Sequence, residues 1–237
     1  MHIVIQSDVF VIIFLTALIC LLTIWLSKKI DKADPLVKPT GIILPVILGV
    51  SKIRDDVIAN VGPKVAKTLG PYILSIAIYI FLSNIQGLFS VSSPTANYSV
   101  TLVLAAITWT LTQIMQIKVN GIGSWFHGFI EPLAVFLPMN IFGKFASLVS
   151  MSLRLFGNIM CGGVIMTLIY AGCQAFSNWI ASWFGASSAI NFMAPILAPA
   201  LHAYFDLFAA FIQTLIFVTL TMVFIGNEMP EDMKKSA

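Results

Sequence analysis

Between Lys144 and Glu228 the chain carries only two formal charges, Arg154 and Asp206. The rest of that stretch is apolar or uncharged and falls into two runs, residues 138–182 and 189–226. A helix rises about 1.5 Å per residue, so a run of about 40 residues extends on the order of 60 Å. That is twice the roughly 30 Å of a bilayer's hydrocarbon core. Runs of this kind belong in a membrane as helices that tilt, kink or project beyond it. Pro195 and Pro199 are expected to mark an irregularity in the second run, and Gly185, Ser187 and Ser188 to join the two.

Composition agrees. Hydrophobic residues make up 59% of the 237 and charged residues 10%, against about 25% charged in soluble domains. At about 20 apolar residues per span the length suits five or six crossings. A net charge of +3 is too small to argue for nucleic acid, so the basic residues are read as topology signals. Cys20, Cys161 and Cys173 lie in apolar stretches without ligand spacing, which argues for packing residues and against a disulfide framework or a zinc site. The first apolar run, residues 9–27, has no Lys or Arg before it and no small-residue cleavage site, and Lys28 and Lys29 follow it. It is expected to stay as a membrane anchor.

Eight of the thirteen basic residues fall between Lys28 and Lys67. Pro35, Pro39 and Pro45 break the first part of this segment, and residues 42–61 mix apolar and charged patches. Residues 28–68 are therefore expected to be cytoplasmic and to hold an amphipathic helix along the membrane surface. Spans are expected at 69–88, entered through Gly70-Pro71, and at 98–117, ending at Lys118 before a polar loop around Asn120, Gly121 and Gly123. The connection 89–97 has no Lys or Arg. The positive-inside rule then puts the N-terminus outside, Lys118 inside, and the tail at Lys234 and Lys235 inside.

A charge at the bilayer centre costs about 2.5–3.5 kcal/mol on insertion scales, so an ionisable residue there is a functional candidate. Arg154 is the more telling of the two because a guanidinium does not lose its proton. Asn158 lies four residues on, with Cys161 continuing that face, and Gly157, Gly162 and Gly163 would let a partner approach closely. In the last run Asp206 and Gln213 are seven apart with Ala209 and Ala210 between them, and His202 precedes Asp206 by one turn. Two helices thus each carry a polar stripe. An ion pair between Arg154 and Asp206 that only locks the helices is the competing reading. Asn158 and Gln213 could likewise be interhelical hydrogen-bonding residues. Taken alone, His202 and His127 are read as packing or interface residues. Trp179 and Trp183 suit an aromatic belt.

The run Ser152-Leu153-Arg154-Leu155-Phe156-Gly157-Asn158 resembles the signature of subunit a of F-type ATP synthases. The last run, Phe205-Asp206-Leu207-Phe208-Ala209-Ala210-Phe211-Ile212-Gln213-Thr214-Leu215-Ile216-Phe217, is similar to that family's final helix, and Pro94-Thr95-Ala96-Asn97-Tyr98-Ser99-Val100-Thr101-Leu102 to an upstream stretch. The resemblance implies an all-α integral membrane fold with about five crossing helices and one surface amphipathic helix, the last two crossings long and tilted against a ring of c subunits. It implies a non-catalytic stator without cofactor, in a plasma membrane, with the c-ring, the b subunits of the peripheral stalk and lipid as partners and H+ or Na+ as cargo. Nucleic acid is not among the expected partners.

By the same resemblance Arg154 separates two half-channels and discharges the rotor carboxylates, with Asn158 and Gln213 lining the path. Many relatives carry Glu at the position of Gly163 and His at that of Asp206. If these positions are neighbours, one acid could serve the same half-channel from either helix. Asn140, Ser147 and Ser150 are candidates for the cytoplasmic opening, where Lys144 stands in place of an acid common in relatives. Asn84, Gln86, Asn97, Gln113, Gln116 and His202 are candidate channel-lining residues or interhelix polar contacts. The alternative function is a secondary ion-coupled transporter or channel, against which stands the lack of two related halves. An intramembrane enzyme would need a nucleophile–base pair or metal ligands, and no such motif occurs.

Overall fold

The computed structural model describes residues 7–31, 43–89, 91, 93–130, 134–183 and 191–230. The connection at Gly185, Ser187 and Ser188, the prolines Pro35 and Pro39 and the tail lysines Lys234 and Lys235 lie outside the described residues. Among the described residues all regular structure is helical: α1 (Ser7–Asp31), α2 (Ile43–Val61), α3 (Pro63–Ile85), α4 (Tyr98–Ile130), α5 (Leu137–Trp183), α6 (Ala194–His202) and α7 (Ala209–Asn227). A π-helical run, Ala203–Phe208, joins α6 to α7. Five stretches are long and apolar enough to cross a membrane: Val9–Ile30, Val65–Phe89, Tyr98–Ile130, Leu137–Trp183 and Ala194–Asn227.

α1 is apolar on every side and leaves Phe10, Phe14, Leu21 and Trp25 exposed, the pattern of a helix solvated by lipid. α2 is two-faced. Val57 and Val61 are buried, whereas Lys52, Arg54 and Asp55 are exposed. Its apolar edge meets Leu69 and Ile73 of α3 and Met222 and Ile225 of α7 in one core cluster. Ile76 and Ile80 of α3, Ala105 of α4, Met151 and Leu155 of α5 and Phe217 of α7 form a second.

The start of α3 differs from expectation. The helix begins at Pro63, with Pro71 inside it. Gly62 has φ 84°, a backbone region open essentially to glycine, and Pro63 supplies the preset φ of a first helical residue. Pro71 removes one backbone hydrogen bond, but Leu69 and Ile73 on either side are buried and hold the helix through it. Intramembrane helices tolerate proline in such surroundings.

The polar segment after Lys118 is also more ordered than a loop. α4 breaks at Gly121 (φ 82°, ψ 157°) and continues as helix to Ile130. The short piece beyond the break returns to the start of α5, where Asn140 Nδ2 donates to the Phe129 carbonyl at 3.0 Å. α5 itself is unbroken for 47 residues, about 70 Å at 1.5 Å per residue. It buries a single stripe that includes Met151, Leu155, Met166, Cys173 and Ser177, and leaves Leu153, Met160, Val164 and Leu168 exposed. Of the cysteines read as packing residues, only Cys173 is buried in this chain, Cys20 and Cys161 being exposed.

α2 and α7 approach closely at Gly226, where an added Cβ would lie 2.6 Å from the Asn60 carbonyl oxygen. That obstacle is backbone and cannot rotate away. Gly226→Ala is expected to destabilise the detergent-solubilised protein by about 1–3 kcal/mol, read as a lower thermal unfolding midpoint. Gly49→Ala, with nothing within 4 Å of the new methyl, should leave the midpoint in place.

Candidate functional site

Pro195 stands at the start of α6 and Pro199 inside it, and the π-helical run begins four residues later. Pro199 cannot donate to the helix ladder and crowds the preceding turn. The turns beyond it are widened into the π-helical run, a feature common at functional positions. The widened run carries Asp206. Its Oδ2 lies 2.5 Å from His202 Nδ1, and His202 Nε2 lies 3.0 Å from the Tyr170 hydroxyl on α5. The result is a chain of three titratable groups that ties the last helix to α5.

These groups open on a cavity of about 220 Å³, lined also by Asn84, Gly87, Ser93, Asn158, Gly162 and Gly163. That is room for several water molecules. Asn84 is almost fully buried, its Oδ1 accepts from Thr95 Oγ1 at 2.7 Å, and its Nδ2 has no protein partner. Gly87 makes space for the acid, since a Cβ there would sit 2.9 Å from Asp206 Oδ1. Gly163 borders the same cavity with nothing within 4 Å of a built Cβ. Asp206 and position 163 are therefore neighbours in space.

A second, larger cavity of about 520 Å³ lies where the C-terminal ends of α4 and α7 meet the start of α5. Gln113, Asn140, Lys144, Ser147 and Glu228 line it. Lys144 Nζ donates to Gln116 Oε1 at 3.1 Å and sits over the rings of Phe129 and Trp125, 4.3 and 5.1 Å from their centroids. Trp125 is fixed by Gln113 Oε1 at 3.0 Å. The break at Gly121 is what brings these rings back over the lysine. Burial pushes the Glu228 carboxyl above its ordinary range, and the charge of Lys144 pulls it part of the way back.

Arg154 belongs to neither cavity. Along α5 the larger cavity ends at Met151 and the smaller begins at Asn158, with the Arg154 turn between them. The side chain is exposed and donates to Ser150 Oγ at 3.4 Å. Ser150 thus supports the guanidinium rather than lining the larger cavity. The ion pair considered between Arg154 and Asp206 does not form, since the carboxylate is bonded to His202. Gln213 is 5% exposed and its Nε2 has no protein partner.

Gln86 keeps a buried Oε1 without a partner, and Asn97 caps α4 through Ser99 N at 3.0 Å. Sequence reasoning did not single out Tyr170 or Glu228. Tyr170 follows Gly163 by seven residues and so shares its face, a signal that could have been used. Glu228 reads in the sequence as an ordinary flanking charge.

The profile of the family described as ATP synthase A chain matches residues 9–226. The chain belongs to this family. It is 29% identical over 229 residues to ATP synthase subunit a of Mycoplasmoides gallisepticum, covering 92% of this chain and 75% of that one. It is 34% identical over 170 residues to subunit a of Bacillus subtilis, 67% of each chain. Identity is 30% over 192 residues to a subunit a described as sodium ion specific from Propionigenium modestum, covering 74% of this chain and 59% of that one. As a member of the ATP synthase A chain family the chain is a multi-pass membrane component, in agreement with the resemblance seen around Arg154 and in the last helix.

Gly87→Ala is expected to leave helix content and assembly intact, because the methyl meets the tip of a side chain rather than backbone. The carboxylate must then leave its place beside His202. A severalfold loss of ion transport with normal assembly on native gels is the expected result, and full transport would show that Asp206 needs no fixed position.

Proposed function

We propose that this chain is the ion-translocating stator of a rotary ATP synthase, non-catalytic itself, that passes H+ or Na+ to and from a rotating ring of c subunits. The observation that carries this reading is the pair of polar cavities staggered along α5, with Arg154 on the turn between them. About ten ångströms of α5, at 1.5 Å per residue, separate Met151 from Asn158. A cation leaving one cavity would have to pass a fixed guanidinium to reach the other. The exposed face of α5 that carries Arg154 is the one available to the rotor.

A nearby opposite charge lowers a carboxylate's pKa by about 1–3 units. A rotor acid that reaches Arg154 gives up its ion and stays charged. Moving on into lipid, it must take up an ion again, since an unpaired charge there is costly. Each cavity then connects the rotor with one side of the membrane, and net ion flow requires the ring to turn. In the smaller cavity Asp206 is the acid that receives the ion. Its sharing of that cavity with Gly163 supports the idea that one acid can serve from either helix. In the larger cavity Glu228, Asn140 and Gln113 are the polar groups along the opening, and Lys144 tunes it.

The subunit lies in a plasma membrane with its N-terminus outside and its C-terminus in the cytoplasm. Five crossings and the lysines at the end of α1 and near the break in α4 support that orientation. The basic segment around α2 is the surface offered to the b subunits of the peripheral stalk.

Inverted vesicles carrying the assembled complex provide the test. Arg154→Ala is expected to abolish ATP-driven ion uptake while the complex still assembles, and Asp206→Asn to reduce uptake by about a hundredfold, the low end of the range for losing a positioned proton-transfer group. Unchanged uptake in Arg154→Ala would reduce the arginine to a structural charge and overturn the mechanism.

A further inference from the structure

We propose that the ion taken up through the smaller cavity is a proton, and that His202 hands it to Asp206 while Tyr170 holds the far side of the ring. The proposal deepens the reading of this cavity as an ion inlet and rests on it.

Both ring nitrogens of His202 are committed, Nδ1 to Asp206 Oδ2 at 2.5 Å and Nε2 to the Tyr170 hydroxyl at 3.0 Å. The imidazole side chain is 36% exposed and the carboxylate 19%, so the ring is the more accessible of the pair. Histidine is the one side chain whose ordinary pKa lets it gain and lose a proton between about pH 5 and 8. A proton from cavity water reaches Nε2 when the Tyr170 hydroxyl gives way, and makes an imidazolium. The Nδ1 proton then passes to Asp206 Oδ2, leaving a neutral carboxylic acid and a neutral ring protonated at Nε2. Exchange with cavity water restores the Nδ1–H form, and only protons change hands.

The same groups are poorly arranged for Na+, which as a hard cation needs several oxygen ligands at once. Of the Asp206 oxygens, Oδ2 faces the imidazole and Oδ1 is packed against Gly87. The Asn84 oxygen is taken by Thr95, and it is the amide nitrogen that is left without a partner. The group that the cavity turns toward its carboxylate is the His202 ring nitrogen, where a sodium site would turn further oxygens toward a shared cation. Among the described residues no other charged side chain lines the cavity. α5 contributes Tyr170, Asn158, Gly162 and Gly163, α3 with its extension contributes Asn84 and Gly87, and the segment before α4 contributes Ser93 and Ala96. Tyr170, His202 and Asp206 are the titratable groups on the wall.

Proteoliposomes holding the complete complex, with the inlet facing the lumen, test the relay through ATP synthesis at a fixed driving force and varied luminal pH. His202→Gln keeps an amide donor for Asp206 but cannot carry a proton. It is expected to slow synthesis by about tenfold or more and to flatten the dependence on luminal pH. Tyr170→Phe leaves the ring–carboxylate bond in place and should cost only a fewfold loss with the pH dependence retained. The native complex should accumulate no ²²Na+ and gain nothing from added sodium. An unchanged pH profile in a fully assembled His202→Gln complex, or ²²Na+ uptake by the native one, overturns the proposal. Arg154→Ala in the same preparation separates the failures: if it stays coupled, the inlet reading itself falls. If it uncouples while His202→Gln behaves as native, only the relay is wrong.

Discussion

A guanidinium cannot shed its charge, and hydrocarbon offers it no water. Arg154 therefore has to be stabilised either by an internal carboxylate or by something the chain does not contain. The structure takes the second course. Asp206, the acid that could have neutralised it, is bonded to His202, and Arg154 keeps one long hydrogen bond to Ser150 on an exposed face of α5. A buried pair would have been structurally safe and functionally inert. Left without an internal carboxylate, the arginine keeps its charge on the exposed face of α5, which is where the proposed mechanism brings the rotor carboxylates.

The rest of the bundle keeps that arrangement intact. α5 is unbroken, and its buried stripe locks it to α3, α4 and α7 through Met151, Leu155 and their neighbours. Within the described crossing helices, the break at Gly121 and the π-helical run accompany the two cavities. Pro199 and the π-helical run shape the smaller one by presenting Asp206, and Gly87 leaves the volume that the acid occupies. Gly121 shapes the larger one by folding Trp125 and Phe129 back over Lys144. In a bilayer, non-helical backbone is tolerable only where it is buried in protein or lines a watery space, so departures from helix and polar cavities coincide.

The two cavities differ in chemistry as well as position. The smaller holds an acid gripped by a histidine. The larger holds a lysine under aromatic rings and a carboxyl raised by burial. Such asymmetry suits a path whose two ends must bind and release the same ion on opposite sides of a fixed positive charge.

Much of this was legible from residues alone. Hydropathy and charge are local properties, so the crossings, the two-faced α2 and the isolation of Arg154 and Asp206 followed from composition along the chain, and the Arg154 and Asp206 motifs were specific enough to point to the family. The direct partners of the two charges, His202 for Asp206 and Ser150 for Arg154, lie one turn away on the same helix. What each face meets on a second helix was not legible, because that depends on rotation and register that local periodicity leaves open. Sequence allowed Asp206 to meet Arg154; packing set Asp206 against Gly87 and its neighbour His202 against Tyr170 instead. Ser150 read as channel lining and became the support of the guanidinium, while Tyr170 and Glu228 drew no notice until distant segments met. The helix inventory is written in the solvent preference of each residue. The ion path is a product of tertiary structure, since a cavity exists only between elements, and no single stretch of chain encodes both of its walls.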